Sequence, residues 1–248
     1  MISAMLSALL VIGVAVQTPI AAAPPPVTQT DAAVAVRAMA LAKTLNGDAI
    51  IIGDDKSDAK AVKMATELMA TNEDIKALEA EYPGISLEMA RGMMPIINRS
   101  ARERLPVLWQ RQADLYGKYL SASELDTLNA FYLSPTGQKL ISAMMANIDP
   151  KAMVAEAKRS DDFKISASSV LTDIKAAVPD MLKQMDDTDT AALEKLGRSG
   201  VLTKMKALAP ATQTTVLAWM DESAPWEDAE IEKVTEAIVR RRIAEKSK

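Results

Sequence analysis

The chain has 248 residues, 49% of them apolar, a net charge of −4, and neither cysteine nor histidine. That excludes disulfides, thiolate or imidazole catalysis and zinc sites built on Cys or His, and the mildly acidic balance gives no electrostatic footprint for nucleic acid. Aromatics are scarce at 4%, while methionine (15) and alanine are plentiful; this preponderance of strong helix formers predicts an all-α fold, a helical bundle with short connections.

Met1 to Val16 is an apolar run broken only by Ser3, Ser7 and Gly13, and QTPIAAAPPP comes directly after it. This reads as a secretory signal peptide over residues 1–23 and a proline linker over 24–30. Two features fit poorly: the start of the run carries no Lys or Arg, and Pro24 follows the Ala21-x-Ala23 cleavage pattern. An uncleaved anchor is the alternative, for which the run is short. The expectation is a periplasmic protein with no stable membrane anchor once the signal is removed.

Asp31 is expected to cap a helix that ends at Gly47. Residues 49–53 (AIIIG) suit either a short strand or a helix start. Ser57 begins the next helix, Thr71 caps NEDIKALEAEY, and Pro83-Gly84 makes a turn. Ser86 opens a helix that Pro95 should bend or end. Ser100 with Glu103 then reads as a capping box for a fresh start.

The clearest periodicity comes next. Leu105, Leu108/Trp109, Gln112, Leu115/Tyr116 and Tyr119/Leu120 share one helical face. Ser121 with Glu124 forms a second capping box, ahead of the stripe Leu125, Leu128 and Phe131/Tyr132. Ser134 caps a third helix with Pro135 at its first position, and Leu140/Ile141, Met144/Met145 and Ile148 form its apolar face. Three helices with short connections argue a packing unit and name no reaction.

After Pro150 a helix runs through Ala157, and the polar RSDD (159–162) is the candidate boundary between a helical domain over 31–157 and a C-terminal helical segment over 158–248. In that segment Val170/Leu171, Ile174, Val178, Met181/Leu182 and Met185 form a stripe kinked at Pro179. Short helices are expected over 191–196, 201–208 and 211–220, interrupted at Gly197/Gly200 and Pro210. The last helix has acids in its first turns and Arg240, Arg241 and Arg242 near its end, as the helix dipole favours.

Tyr116, Lys118 and Tyr119, then Glu124-Leu125, then Phe131-Tyr132, Ser134-Pro135, Gly137, Lys139 and Leu140 give an order and spacing that resembles the bacterial family catalogued as domain of unknown function 2059. The likeness covers about residues 89–145. It implies a small, mostly helical exported domain and brings no activity and no catalytic residues.

Chemistry-bearing patterns are weak. Ser57-x-x-Lys60 resembles the serine–lysine motif of penicillin-binding enzymes, but its companion motifs are missing and Ser57 suits a cap. The acidic groups Asp54/Asp55/Asp58, Asp186/Asp187/Asp189 and Glu227/Asp228/Glu230 fail the calcium-loop pattern, and each suits helix capping. Ser134 to Gly137 could hold an anion at a helix start, although Ser134 itself would satisfy one of those donors. Met89, Met93, Met94, Met144, Met145, Met181 and Met185 read as core, or as the lining of an adaptable groove.

The sequence therefore assigns no catalytic residue, no cofactor and no metal. It points to a non-enzymatic binding or interaction module of the cell envelope, with an envelope protein, a peptide or a lipid as partner and no nucleic acid. A carboxylate- or serine-based hydrolase of envelope polymers and a structural helical spacer are the alternatives.

Overall fold

A computed structural model of the chain describes residues 32–47, 55–157, 159 and 166–247. The signal peptide and linker, the Asp31 cap, the segment 49–53, Asp54 and most of the 159–162 boundary lie outside the described residues. Within them the chain forms eleven α-helices and no strand, so the all-α expectation holds. The helices are α1 (Ala32–Leu45), α2 (Asp55–Met69), α3 (Glu73–Glu81), α4 (Ile85–Tyr119), α5 (Ala122–Tyr132), α6 (Pro135–Asn147), α7 (Lys151–Ala157), α8 (Ala167–Leu182), α9 (Asp187–Arg198), α10 (Val201–Met220) and α11 (Glu227–Lys246).

Helix α4 is the axis of the molecule: α1, α2, α10 and α11 all pack along it. Its 35 residues run unbroken through Pro95, Ser100 and Pro106, so Pro95, expected to bend or end the helix, does not end it, and the fresh start expected at Ser100 is corrected. Helix α10 likewise continues through Pro210, where the sequence pattern predicts two short helices. The reason lies in orientation. Pro95, Pro106, Pro179 and Pro210 are all exposed, and a proline on the wet face releases the carbonyl four residues back toward water, which can satisfy it. Those carbonyls belong to Arg91, Arg102, Lys175 and Lys206, none of which is buried.

One hydrophobic core extends from Val34 on α1 to Met220 at the end of α10. Leu105, Leu108 and Tyr116 from α4, Leu120 at its C-cap, and Leu125, Leu128 and Tyr132 from α5 are all buried in it, as the periodicity of that stretch predicts. Helices α8, α9 and α10 add Val170, Ile174, Leu196, Val201, Leu208, Val216 and the fully buried Trp219. The methionines behave mainly as core. Met89, Met94, Met144 and Met181 are buried, whereas Met93 and Met185 are half-buried.

Several helix starts differ from expectation. Helix α2 begins at Asp55 rather than Ser57. Asn72, not Thr71, caps α3, and its side chain accepts from the Asp74 and Ile75 amides. Helix α4 starts at Ile85, one residue before the expected Ser86, with Gly84 as its N-cap, whose φ of 87° suits a residue without a side chain. Its first amides are satisfied from outside: the Glu79 carboxylate on α3 accepts from the Gly84 and Ser86 N–H groups and from the Ser86 hydroxyl. Helix α7 is capped the same way. The buried Asp173 of α8 accepts from the Ala152 and Met153 amides at 2.8 and 3.0 Å.

Candidate functional site

The motif residues lie on α4, α5 and α6 and the turns between them, which pack against α9 and α10. The capping box over Ser121 and Glu124 forms as expected: the serine hydroxyl accepts from the Glu124 amide, and the Glu124 side chain reaches back to the Ser121 N–H. The glutamate has a second partner outside the box, the Lys204 ammonium of α10 at 2.8 Å. Burial alone would raise the Glu124 carboxyl, but the bonds from Lys204 and Ser121 outweigh it and leave the group below its ordinary range.

The turn from α5 to α6 is closed by close packing. Ser134 accepts from the Gly137 amide and donates to the Phe131 carbonyl, and Pro135 occupies the first turn of α6. Gly137 lies directly against the end of α5. A β-carbon there would sit 2.1 Å from the Phe131 carbonyl oxygen and 2.6 Å from Tyr132 Cα. Pro135 has no amide hydrogen and Ser134 satisfies the Gly137 amide, so the arrangement serves as a cap rather than an anion cradle.

Phe131 and Tyr132 meet edge to face with centroids 5.2 Å apart. Leu125 is fully buried among them, whereas Tyr119 is half-buried. Burial pushes the Tyr132 phenol up to about 12, and the Tyr116 phenol is raised by burial as well. Neither phenol is suited to ionise near neutral pH.

Lys139 extends from α6 to α9, where its ammonium bonds the Asp186 carboxylate at 3.2 Å and pairs with Asp189. Thr136 adds a bond to Asp189 at 2.8 Å. These two donors hold the Asp189 carboxyl down at about 2, against an ordinary 3.8, and the same contacts raise the Lys139 ammonium. Asp186 also caps α9, in a capping box completed by Asp189. The acidic group at 186–189 is therefore occupied by capping and by a lysine.

A second polar cluster, which sequence reasoning missed, joins the middle of α4 to α10 and α11. Ser100 is fully buried, and its hydroxyl donates to the Glu227 carboxylate. It accepts from Arg104 Nε at 3.2 Å and from the Ala224 amide at 3.3 Å. Arg104 lies 4.7 Å from the Trp219 ring and donates to the Trp219 carbonyl at 2.7 Å, while the Trp219 indole returns a bond to the Arg104 carbonyl. One turn earlier, Arg99 stacks 3.8 Å above Trp226, whose indole donates to Glu103. Ser100 and Glu103, which have the spacing of a capping box, thus both serve to fasten α11. The acids Glu227 and Glu230 face Ser100 and Arg99 respectively.

Ser57 and Lys60 occupy the opening turns of α2. Among the described residues no group of three or more acids is placed to hold a metal ion, and no helix is long and apolar enough to cross a membrane.

Residues 108–157 match the model of a family described as "uncharacterized protein conserved in bacteria", domain of unknown function 2059. All twelve motif residues fall in that span, although it begins later and runs further than the likeness read from the sequence. No curated protein and no solved structure matches the chain.

Proposed function

We propose that the protein is an exported, non-enzymatic binding or interaction module of the bacterial cell envelope. The observation that carries this reading is how the motif residues are used. Glu124, Ser134, Gly137 and Lys139 are engaged in capping, close packing and ion pairing within the chain, and Tyr116 and Tyr132 are buried with raised pKa values. A motif so used maintains a shape, and a shape maintained without a reactive centre suits recognition of a partner. In the second cluster Ser100, although bonded to the Glu227 carboxylate, is wholly enclosed, which weighs against a serine hydrolase there. Export rests on the apolar run Met1 to Val16 and the small-residue stretch after it.

The test is native mass spectrometry of the protein taken from its host's soluble envelope extract. The reading expects a chain shortened by about two dozen residues, carrying extra mass from a protein, peptide or lipid. A full-length chain found only in the cytosol would refute export. A bare chain with hydrolytic activity on envelope polymers would refute the binding role.

A further inference from the structure

Where α1, α4 and α10 meet, the core contains a polar centre that the ion pairs above do not touch. Asn46, Gln112, Tyr116 and Thr212 each have no exposed surface. Asn46 Nδ2 donates to the Ala42 carbonyl at 2.9 Å and to Gln112 Oε1 at 2.6 Å, and the Tyr116 hydroxyl donates to the same Oε1 at 3.2 Å. The Trp109 indole covers one side, bonding the Asn46 carbonyl at 2.8 Å. Three atoms of the group have no protein partner: Asn46 Oδ1, Gln112 Nε2 and Thr212 Oγ1. Thr212 stands beside the Tyr116 phenol, yet the two hydroxyls do not reach normal hydrogen-bond geometry.

Rotating the amides does not remove the problem. If both amide groups were turned, the Asn46 oxygen would face the Ala42 carbonyl oxygen, and Gln112 would present an unmatched acceptor in place of an unmatched donor. Turning Gln112 alone would set its NH₂ against the Asn46 NH₂. The observed orientation is the best the protein atoms allow, and it still leaves an acceptor, a donor and a hydroxyl unanswered in one buried place. Buried groups of this kind are matched in folded proteins, and internal water, typically making about three hydrogen bonds, is the usual means.

We propose that this junction is a hydration site: ordered water bridges Asn46 Oδ1, Gln112 Nε2 and Thr212 Oγ1 and ties α1 to α10 across α4. A water molecule can donate to the asparagine oxygen, accept from the glutamine amide and exchange either role with the threonine hydroxyl, so its chemistry fits all three. The site is composite. Gln112 and Tyr116 come from the span that matches the bacterial family, Asn46 precedes it, and Thr212 lies beyond its end.

A crystal structure of the full chain at a resolution that shows ordered solvent tests this directly. The expected result is water about 2.7–3.2 Å from at least two of the three atoms; side chains packed against one another with no solvent between them would overturn the proposal. Thr212→Val gives an independent reading whose sign matters. A dry, unmatched hydroxyl is better replaced by a methyl, so a dry site predicts a higher urea midpoint. A water-bridged hydroxyl predicts a lower midpoint, together with loss of the nuclear Overhauser contact between water and the Gln112 side-chain amide. A raised midpoint with no such contact in the parent protein would refute the hydration site even without crystals.

Discussion

Gly137 and Gly197 lack the same side chain in opposite surroundings. At Gly137 an added methyl would collide with the backbone of α5, which cannot move aside as a flexible side chain could; at Gly197 nothing lies within 4 Å. Gly137→Ala is therefore expected to lower stability by about 3 kcal/mol through forced opening of the α5–α6 turn. Gly197→Ala, in the last turn of α9, is expected to raise it by about 0.5–1 kcal/mol by restricting the unfolded chain. Urea unfolding of the two variants side by side checks both signs. Asp189 gives a prediction in pH. Its folded pKa, about 2, lies below the ordinary 3.8, so the unfolded chain binds its proton first on acidification. The stability it contributes is complete above about pH 4 and is lost as pH falls toward about 2. Urea midpoints measured across that window should fall less steeply for Asp189→Asn than for the parent, the variant being weaker at neutral pH; parallel slopes would show that the Lys139 contact does not lower this carboxyl.

At the scale of the helix, legibility in the sequence depends on whether the cause is local. The α4–α5–α6 stretch is readable because its apolar spacing, the Ser121–Glu124 box and the Ser134-Pro135 start all act within a few residues. Ser100 with Glu103 has the same spacing as a capping box and is none. Whether such a serine caps a helix or bonds Glu227, which lies 127 residues away, depends on packing that the local pattern does not encode. The prolines mislead for a related reason. A helix tolerates Pro95 or Pro210 when the residue faces water, and that facing is set by which other helices cover the opposite side. Caps supplied from another helix, Glu79 for α4 and Asp173 for α7, are equally out of reach. Burial ranks the elements dynamically. Helices α3 and α11 contain no buried residue, whereas the second half of α4 runs through the core. Amide hydrogen exchange should therefore be fast along α11, slowest over Leu105–Leu120, and retarded at the start of α11 where Glu227 and Trp226 anchor it. Uniform protection across α4 and α11 would mean that the two open only together.

For the molecule as a whole, the question is whether the span that matches the bacterial family can fold without the C-terminal helices. That span ends at residue 157, yet Glu124 and Lys139 within it are paired with Lys204 and Asp189 beyond it. The distribution of apolar burial points the same way. Val170, Ile174, Val201, Met205, Leu208, Val216 and Trp219 all belong to the core that contains Tyr116, Leu128 and Met144. Burial of each such side chain contributes roughly 1.5–3 kcal/mol, so removing them together takes away an amount comparable to the whole net stability of about 5–15 kcal/mol typical of a folded protein. A fragment ending at Ala157 is thus expected to keep much of its local helix, because capping and periodicity there are local, while losing the fixed packing around Tyr116 and Tyr132. The measurable outcome is a far-ultraviolet helical signal without a sharp thermal transition, and a near-ultraviolet tyrosine signal that collapses relative to the full chain. A fragment that melted cooperatively with its tyrosine signal intact would show that α8–α10 are an addition to a self-sufficient bundle. In that case the polar stretch at 159–162 would separate two folding units, and the ion pairs from Glu124 and Lys139 would join domains rather than complete one.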